Sequence, residues 1–230
     1  MKKYKHIFFD LDETLWDFRR NSLDTLKELF SNYKLSEQGL EQERFCERYF
    51  YHNDIYWDLF RKGAITRGEL RTVRWATTLR EFNITDEALA KNISEDYLTR
   101  LPVKTHLYED ADAVLQYLHA KYNLHIITNG FEEVQFKKLN HSGIISYFKY
   151  IITSEMAGSQ KPNREIFKYA MDKTNALASE SIFVGDSIEA DIAGAKSVGM
   201  DHVLFNPGKL SHHEQVTHEI HFLKELKNFL

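Results

Sequence analysis

The sequence predicts an α/β fold, a parallel β-sheet with helices on both faces, interrupted by an all-helical insertion. Two observations predict the sheet. Short runs rich in β-branched and aromatic residues recur along the chain, and stretches with helical periodicity alternate with them in the C-terminal half. Such alternation is typical of strand–helix–strand units with parallel strands. A third observation predicts the insertion, because residues 18–100 contain no comparable strand-like run.

The predicted strands are short apolar runs that end at a polar or glycine position. A continuous apolar run of this length is expected of a strand that is buried on both faces of a parallel sheet. The runs occupy residues 5–9, 124–127, 150–152, 181–184 and 202–205.

The predicted helices of the sheet domain lie between the later strands. Their apolar residues recur at helical spacing rather than in alternation. They cover about residues 111–121, 132–141, 163–174 and 188–198, and residues 220–226 are predicted as a helix that closes on the sheet.

The insertion is predicted to be helical from its helix-start signals. Thr66 and Glu69 fit a capping box, and Asp86 precedes a second helix with an acidic first turn. Leu101-Pro102 is a plausible return into the sheet domain. We therefore predict two domains, one formed by residues 1–15 and 103–230 and one formed by residues 16–102.

Composition limits the classes of partner. The chain has 30 Lys+Arg against 34 Asp+Glu, a formal net charge of -4, without a basic block, so nucleic acid and anionic membranes are not expected as partners. The single cysteine, Cys46, fits a packing residue in a reducing cytoplasm. No segment approaches the roughly 20 apolar residues of a membrane span, and we expect a soluble cytoplasmic protein.

Two acids follow the first predicted strand directly. Asp10 and Asp12 are separated by one residue, so in an extended segment their side chains would point the same way at the carboxyl edge of the sheet. Like charges this close are costly unless a cation neutralises them or one of them carries a proton. A hard divalent ion such as Mg²⁺ would meet that need. The alternative from this motif alone is a strand end with solvated acids.

The ends of the later strands carry further polar groups. Thr128 and Asn129, followed by Gly130, offer a hydroxyl, an amide and backbone N–H groups that could cradle a phosphate, although an ordinary turn with a threonine cap is the alternative. Lys161 precedes a helix start and could equally be a solvated lysine. The fourth strand is followed by two more acids, Asp186 and Asp191.

This ordered set resembles the haloacid dehalogenase superfamily of phosphohydrolases, whose pattern is Asp-x-Asp-x-Thr, then Ser or Thr, then Lys, then Gly-Asp-x-x-x-x-Asp. The resemblance covers essentially the whole chain. It implies a Rossmann-like core with an inserted α-helical cap domain, here residues 16–102. It also implies a magnesium-dependent phosphatase in which Asp10 is the nucleophile, forming an aspartyl-phosphate, and Asp12 is the general acid/base.

The same resemblance implies the binding groups. Thr128 and Lys161 would hold the phosphate, together with the cradle at Asn129. The implied metal ligands are Asp10, Asp186 and the backbone carbonyl of Asp12. Asp191 would support the metal or Lys161.

A narrower resemblance points to a substrate class. Residues 7–15, 63–66 and 127–131 resemble a bacterial subgroup of pyrimidine nucleoside 5'-monophosphatases. This implies a small phosphorylated partner, a nucleoside monophosphate, and Trp16 is the best-placed aromatic residue for stacking on a base. The alternatives are a sugar-phosphate or other small-metabolite phosphatase, a phosphomutase, or a non-catalytic binding protein on the same scaffold.

Overall fold

The chain forms two compact units. In the computed structural model, which describes residues 4–230, one unit comprises Met1–Phe18 with Lys104–Leu230 and the other comprises Arg19–Val103. We call the first the sheet unit and the second the helical unit. That the helical unit serves as a cap stays a prediction.

The sheet unit contains one parallel sheet of six strands in the order β3-β2-β1-β4-β5-β6. The strands are β1 (His6–Phe9), β2 (Asn123–Thr128), β3 (Phe148–Thr153), β4 (Ser181–Gly185), β5 (Asp201–Phe205) and β6 (His218–Ile220). The predicted fold class and its five strands are confirmed, with ends shifted by two residues at most.

The α-helices of the described residues are, in chain order, α1 (Phe18–Asn32), α2 (Gln42–Arg61), α3 (Arg67–Arg80), α4 (Glu87–Arg100), α5 (Ala111–His119), α6 (Glu132–His141), α7 (Ser154–Ala157), α8 (Arg164–Thr174) and α9 (Ala193–Ser197). The stretch predicted as one helix over residues 188–198 consists of a π-helical turn, Ile188–Ile192, followed by α9.

The sixth strand corrects the prediction for the C-terminus. Residues 220–226 do not form one helix: Ile220 pairs with Phe205 as the last residue of β6, and a 3₁₀ helix follows at Leu223–Asn228. The edge strand buries only Ile220 among its three residues. A strand this short and this polar has no apolar run that could be recognised in the sequence.

Both faces of the sheet are covered. Successive strand residues point to opposite faces, and Ile7, Phe8 and Phe9 are all fully buried. On the face of Phe8, the sheet packs against Phe167 of α8 within one apolar cluster. Gly194 of α9 allows this packing, because a Cβ there would overlap the Phe167 ring.

The helical unit contains no strand between residues 19 and 103, all of which are described. Both predicted helix starts are confirmed: Thr66 forms the capping box with Glu69, and the Asp86 carboxylate accepts a hydrogen bond from the Leu89 N–H. Its core is aromatic, with Tyr49 and Trp75 ring centroids 4.2 Å apart.

None of the helices in residues 4–230 combines the length and the apolar character required to cross a bilayer.

Candidate active site

The polar strand ends meet at the carboxyl edge of the sheet. Asp10 follows β1, the strand that lies between β2 and β4, and its N–H donates to the Val184 carbonyl of β4. Thr128 ends β2, and Asp186 follows β4 directly. The structure therefore brings Asp10 close to residues that follow it by more than a hundred positions in the sequence, because parallel strands end at one edge.

Lys161 lies between two carboxylates. Its Nζ is 2.5 Å from Oδ1 of Asp10 and 2.7 Å from Oδ1 of Asp191. Burial acts to lower the pKa of Lys161, but the two carboxylates outweigh burial and raise the pKa above its ordinary value. The lysine is therefore charged, and it is not the solvated lysine that the sequence left open.

Three acids form a cluster around this lysine. Oxygens of Asp10, Asp186 and Asp191 lie within 4.8 Å of one another. Burial, and next the neighbouring Asp191 and Asp10, raise the pKa of Asp186 well above its usual range, while Thr14 Oγ1 donates to its Oδ1 over 3.0 Å. Burial likewise raises the pKa of Asp10, against the opposing effect of Lys161.

The cluster fits a divalent cation. When ionised, the three carboxylates exceed the charge of Lys161 by two, and hard oxygen ligands of this kind suit Mg²⁺. Asp191 has both oxygens engaged, one by Lys161 and one by the Ser187 N–H. Asp10 and Asp186 are thus the more open ligands, and Asp191 holds Lys161 in place.

Gly185 makes room for this arrangement. A Cβ at Gly185 would overlap the carboxylate of Asp191, well inside van der Waals contact. The glycine that precedes Asp186 in the sequence is therefore required by the close approach of Asp191 to the end of β4.

Thr128 is prepared to donate a hydrogen bond. Its Oγ1 accepts from the Gly130 N–H at 3.1 Å and from Gln135 Nε2 at 2.7 Å. A hydroxyl has two acceptor lone pairs and one hydrogen, so the remaining capacity of Thr128 is donation. A phosphate oxygen would accept that hydrogen.

Asn129 holds the Lys161 loop. Its Nδ2 donates to the Lys161 carbonyl over 2.9 Å, and its Oδ1 accepts from the Lys161 N–H over 2.7 Å. The side chain thus sets the position of the lysine backbone. A contact between Asn129 and phosphate stays a prediction.

Asp12 has two partners that the sequence reasoning missed. Its Oδ1 is 2.6 Å from Lys138 Nζ, and its Oδ2 accepts from Gln135 Nε2 over 2.8 Å. Both partners come from α6. A signal for them exists in the sequence, because Gln135 and Lys138 fall four and seven residues after Phe131, on the face where an amphipathic helix places its apolar residues.

Trp16 packs inside the sheet unit and does not present a face for stacking. It is fully buried, and its Nε1 donates to the Lys104 carbonyl over 3.2 Å. The ammonium of Lys138 lies 4.4 Å from its ring centroid. The expectation that Trp16 stacks on a base is therefore wrong for this structure, and the residue supports Lys138 instead.

Known proteins are similar in sequence to this chain over most of its length. The chain is 31% identical to the HAD hydrolase YfnB of Bacillus subtilis, over 100% of this chain and 97% of the relative. It is 32% identical to the pyrimidine 5'-nucleotidase YjjG of Escherichia coli, with 86% and 84% covered. It is 27% identical to the pyrimidine 5'-nucleotidase PynA of Streptococcus pneumoniae, with 99% and 95% covered.

Structure and family comparisons agree with these matches. The crystal structure of magnesium-bound YfnB superimposes with a TM-score of 0.90 at 30% identity, over 99% of this chain and 98% of that one. The family model of haloacid dehalogenase-like hydrolases matches residues 4–199, a span that contains every acid of the cluster, Lys161 and Thr128. The chain belongs to the haloacid dehalogenase-like hydrolases.

Proposed function

We propose that this protein is a magnesium-dependent phosphomonoesterase that acts on nucleoside 5'-monophosphates, with a preference for pyrimidines. One observation carries the catalytic part: Asp10 lies at the open edge of the sheet, buried, 2.5 Å from a charged lysine and beside two further acids. In its ionised form Asp10 is a nucleophile, and Lys161 supplies the positive charge that an anionic substrate needs close to it.

The residues divide the reaction into two steps. An Asp10 oxygen attacks phosphorus, the ester P–O bond breaks with its electron pair going to the leaving oxygen, and Asp12 gives that oxygen a proton. Water then attacks phosphorus, Asp12 takes the water proton, and the bond between Asp10 and phosphorus breaks to return the carboxylate. Lys161 and the Thr128 hydroxyl hold the non-bridging oxygens as charge builds on them.

Asp10, Asp186 and the backbone carbonyl of Asp12 would hold Mg²⁺. The ion, when bound, neutralises charge on the phosphoryl oxygens and lowers the repulsion between substrate and nucleophile. When all three acids are ionised, their charge exceeds that of Lys161 by two, which supports this assignment.

The substrate class is supported by relatives. Two of the curated relatives, YjjG and PynA, are pyrimidine 5'-nucleotidases. At 27% to 32% identity they support the substrate class through likeness over most of the chain. The competing substrate is a sugar phosphate, which needs the same catalytic residues and a different surface for the leaving group.

The test is phosphate release from purine and pyrimidine 5'-monophosphates and from sugar phosphates, with Mg²⁺, for the wild type and Asp10→Asn. We expect the largest kcat/KM with pyrimidine monophosphates and a loss of at least about a thousandfold in the variant, since the nucleophile is gone. Asp172→Asn is the matched control, because Asp172 is exposed and lies in the last turn of α8, at the opposite end of the helix from Lys161.

Each outcome tests a different part of the proposal. Full activity in Asp10→Asn would remove the covalent mechanism. A preference for sugar phosphates would keep the mechanism and replace the substrate. No hydrolysis of any ester by the wild type would leave the chain as a binding protein on a hydrolase fold.

A further inference from the structure

Asp12 is held at both carboxylate oxygens by one helix. Lys138 Nζ is 2.6 Å from Oδ1 and Gln135 Nε2 is 2.8 Å from Oδ2. Gln135 and Lys138 are three residues apart on α6, so they lie on the same face of the helix, one turn apart. The two contacts fix both the position and the rotation of the carboxylate plane.

These two side chains lie where apolar residues would normally be. Gln135 is fully buried and Lys138 is 3% exposed, next to the buried Val134 and Leu139 of the same helix. Burying an ammonium and an amide is costly, and replacing such groups together with their charged partner by apolar residues of similar size is often neutral or stabilising. Their presence at these positions therefore fits a task at Asp12 better than a contribution to packing.

Gln135 also ties Asp12 to the phosphate side of the site. Its Nε2 donates one hydrogen to Asp12 Oδ2 and the other to Thr128 Oγ1, 2.7 Å away. The opposite orientation of this amide would set its oxygen against a carboxylate, so the contacts determine the orientation. One amide therefore couples the position of Asp12 to that of Thr128.

Gly130 leaves the room that this contact of Gln135 requires. A Cβ on Gly130 would overlap the side chain of Gln135, well inside van der Waals contact. The glycine in Thr128-Asn129-Gly130 thus allows the glutamine to run from α6 past the end of β2.

Lys138 is itself supported from the other side. Its Nζ lies 4.4 Å from the ring centroid of Trp16 and 5.6 Å from that of Phe18. The rings restrict where the ammonium can go, and Asp12 is the carboxylate that it contacts.

We propose that Gln135 and Lys138 are positioning residues for the reaction, which hold the Asp12 carboxyl beside Thr128 so that it reaches the ester oxygen of a bound phosphate. The proposal rests on the proposed function. It concerns the two proton transfers of Asp12: to the leaving oxygen as the ester P–O bond breaks, and from water as the bond between Asp10 and phosphorus breaks.

The two proton transfers give the proposal a specific signature. An alkyl leaving group, such as the 5'-oxygen of a nucleoside, needs a proton as it departs, whereas p-nitrophenolate leaves without one. Hydrolysis of the phosphoenzyme needs Asp12 for every substrate. Misplacing Asp12 should therefore slow phosphoryl transfer from alkyl esters, spare it with p-nitrophenyl phosphate, and let the phosphoenzyme accumulate.

The experiment uses Lys138→Met and Gln135→Met in the full chain, with Lys137→Met as the control. Lys137 is the exposed neighbour of Lys138 on α6, and so tests the loss of a lysine without the loss of the contact. Single-turnover rates are measured with uridine 5'-monophosphate and p-nitrophenyl phosphate. Pre-steady-state release of p-nitrophenol and thermal midpoints are measured on the same samples.

For the two variants we expect the rate with the nucleotide to fall about a hundredfold, the lower bound for general acid catalysis, and the rate with the aryl ester to change by less than about threefold. A burst of p-nitrophenol equal to the enzyme concentration should precede slow turnover. The substrate concentration that gives half the maximal single-turnover rate should stay close to the wild-type value for both esters, whereas the steady-state KM for the aryl ester should fall with its turnover. Lys137→Met should match the wild type throughout.

Equal losses with both esters and no burst would overturn the proposal and leave Gln135 and Lys138 as structural residues. Gly130→Ala provides a second route if a variant unfolds, because it displaces Gln135 without removing it and should show the same burst. Failure of the proposed function is a separate outcome, since the wild type would then hydrolyse neither ester and Asp10→Asn would change nothing.

Discussion

A buried histidine in the sheet should make the protein less stable in mild acid. His125 on β2 is fully buried, and its Nε2 lies 3.1 Å from Nδ1 of His6 on β1. Burial lowers the pKa of His125 to about 3, and the charges of His6 and Lys149 act in the same direction. Tyr150 of β3 contacts the ring as well, and no carboxylate is among the groups that shift this pKa.

The sign follows from proton binding. Below about pH 6.5 His125 is protonated in the unfolded chain but stays neutral in the folded protein. The free energy of unfolding therefore falls as pH falls from 6.5 towards 3. At pH 5 the difference from the unfolded value is about 1.5 pKa units, or about 2 kcal/mol. Above pH 7.5 the contribution is close to zero.

The assay is urea unfolding of the wild type and His125→Phe between pH 5 and pH 8. Phenylalanine keeps a ring beside Phe8, whose centroid lies 4.8 Å away, and cannot titrate. Between pH 8 and pH 5 the wild type should lose about 2 kcal/mol more of its free energy of unfolding than His125→Phe does. His213→Phe, at an exposed position, should leave the pH dependence unchanged. A constant difference between His125→Phe and the wild type over this range would refute the reasoning.

Two further predictions concern the acid cluster. Mg²⁺ should raise the thermal midpoint of the metal-free protein, and at a hundred times its dissociation constant the added stability should be about 2.7 kcal/mol. Asp186→Asn should abolish this shift, and an equal shift in that variant would place the ion elsewhere. Gly185→Ala should lower both the thermal midpoint and kcat, because the new Cβ pushes Asp191 away from Lys161, whereas Gly208→Ala, where a Cβ meets only an ordinary contact 3.6 Å from Leu210, should lower neither.

The sheet could be predicted because most of its strands leave a strong trace in the sequence. The residues of β4, for example, are buried without exception, and burial on both faces demands a continuous apolar run. β6 left no such trace, because it is an edge strand with one buried residue. The positions of Asp10, Thr128 and Asp186 at strand ends could be predicted too, since the carboxyl ends of parallel strands share an edge.

The partners of Asp12 could not be predicted in the same way. Their spacing from Phe131 places them on the apolar face of α6, but a lysine and a glutamine on a helix are usually solvated, and the structure is needed to show that Gln135 and Lys138 are buried. The prediction that Trp16 stacks on a base was wrong for a related reason. Its place just after the loop that carries Asp10 and Asp12 suggested access to substrate, but its ring packs against the ammonium of Lys138.

Asp10 and Asp12 lie in different electrostatic surroundings, although only one residue separates them in the sequence. Asp12 has a cation of its own in Lys138, whereas Asp10 shares Lys161 with Asp191 and faces Asp186 as well. The surplus of negative charge is therefore on the side of Asp10, where a divalent cation would settle. The Asp12 carboxylate has Lys138 as its cation and needs no metal. Both of its oxygens are held by side chains of α6, in a position suited to proton transfer. Groups that are chemically identical acquire separate tasks when their surroundings differ in this way, and here the difference supports Asp10 as the nucleophile and Asp12 as the acid and base.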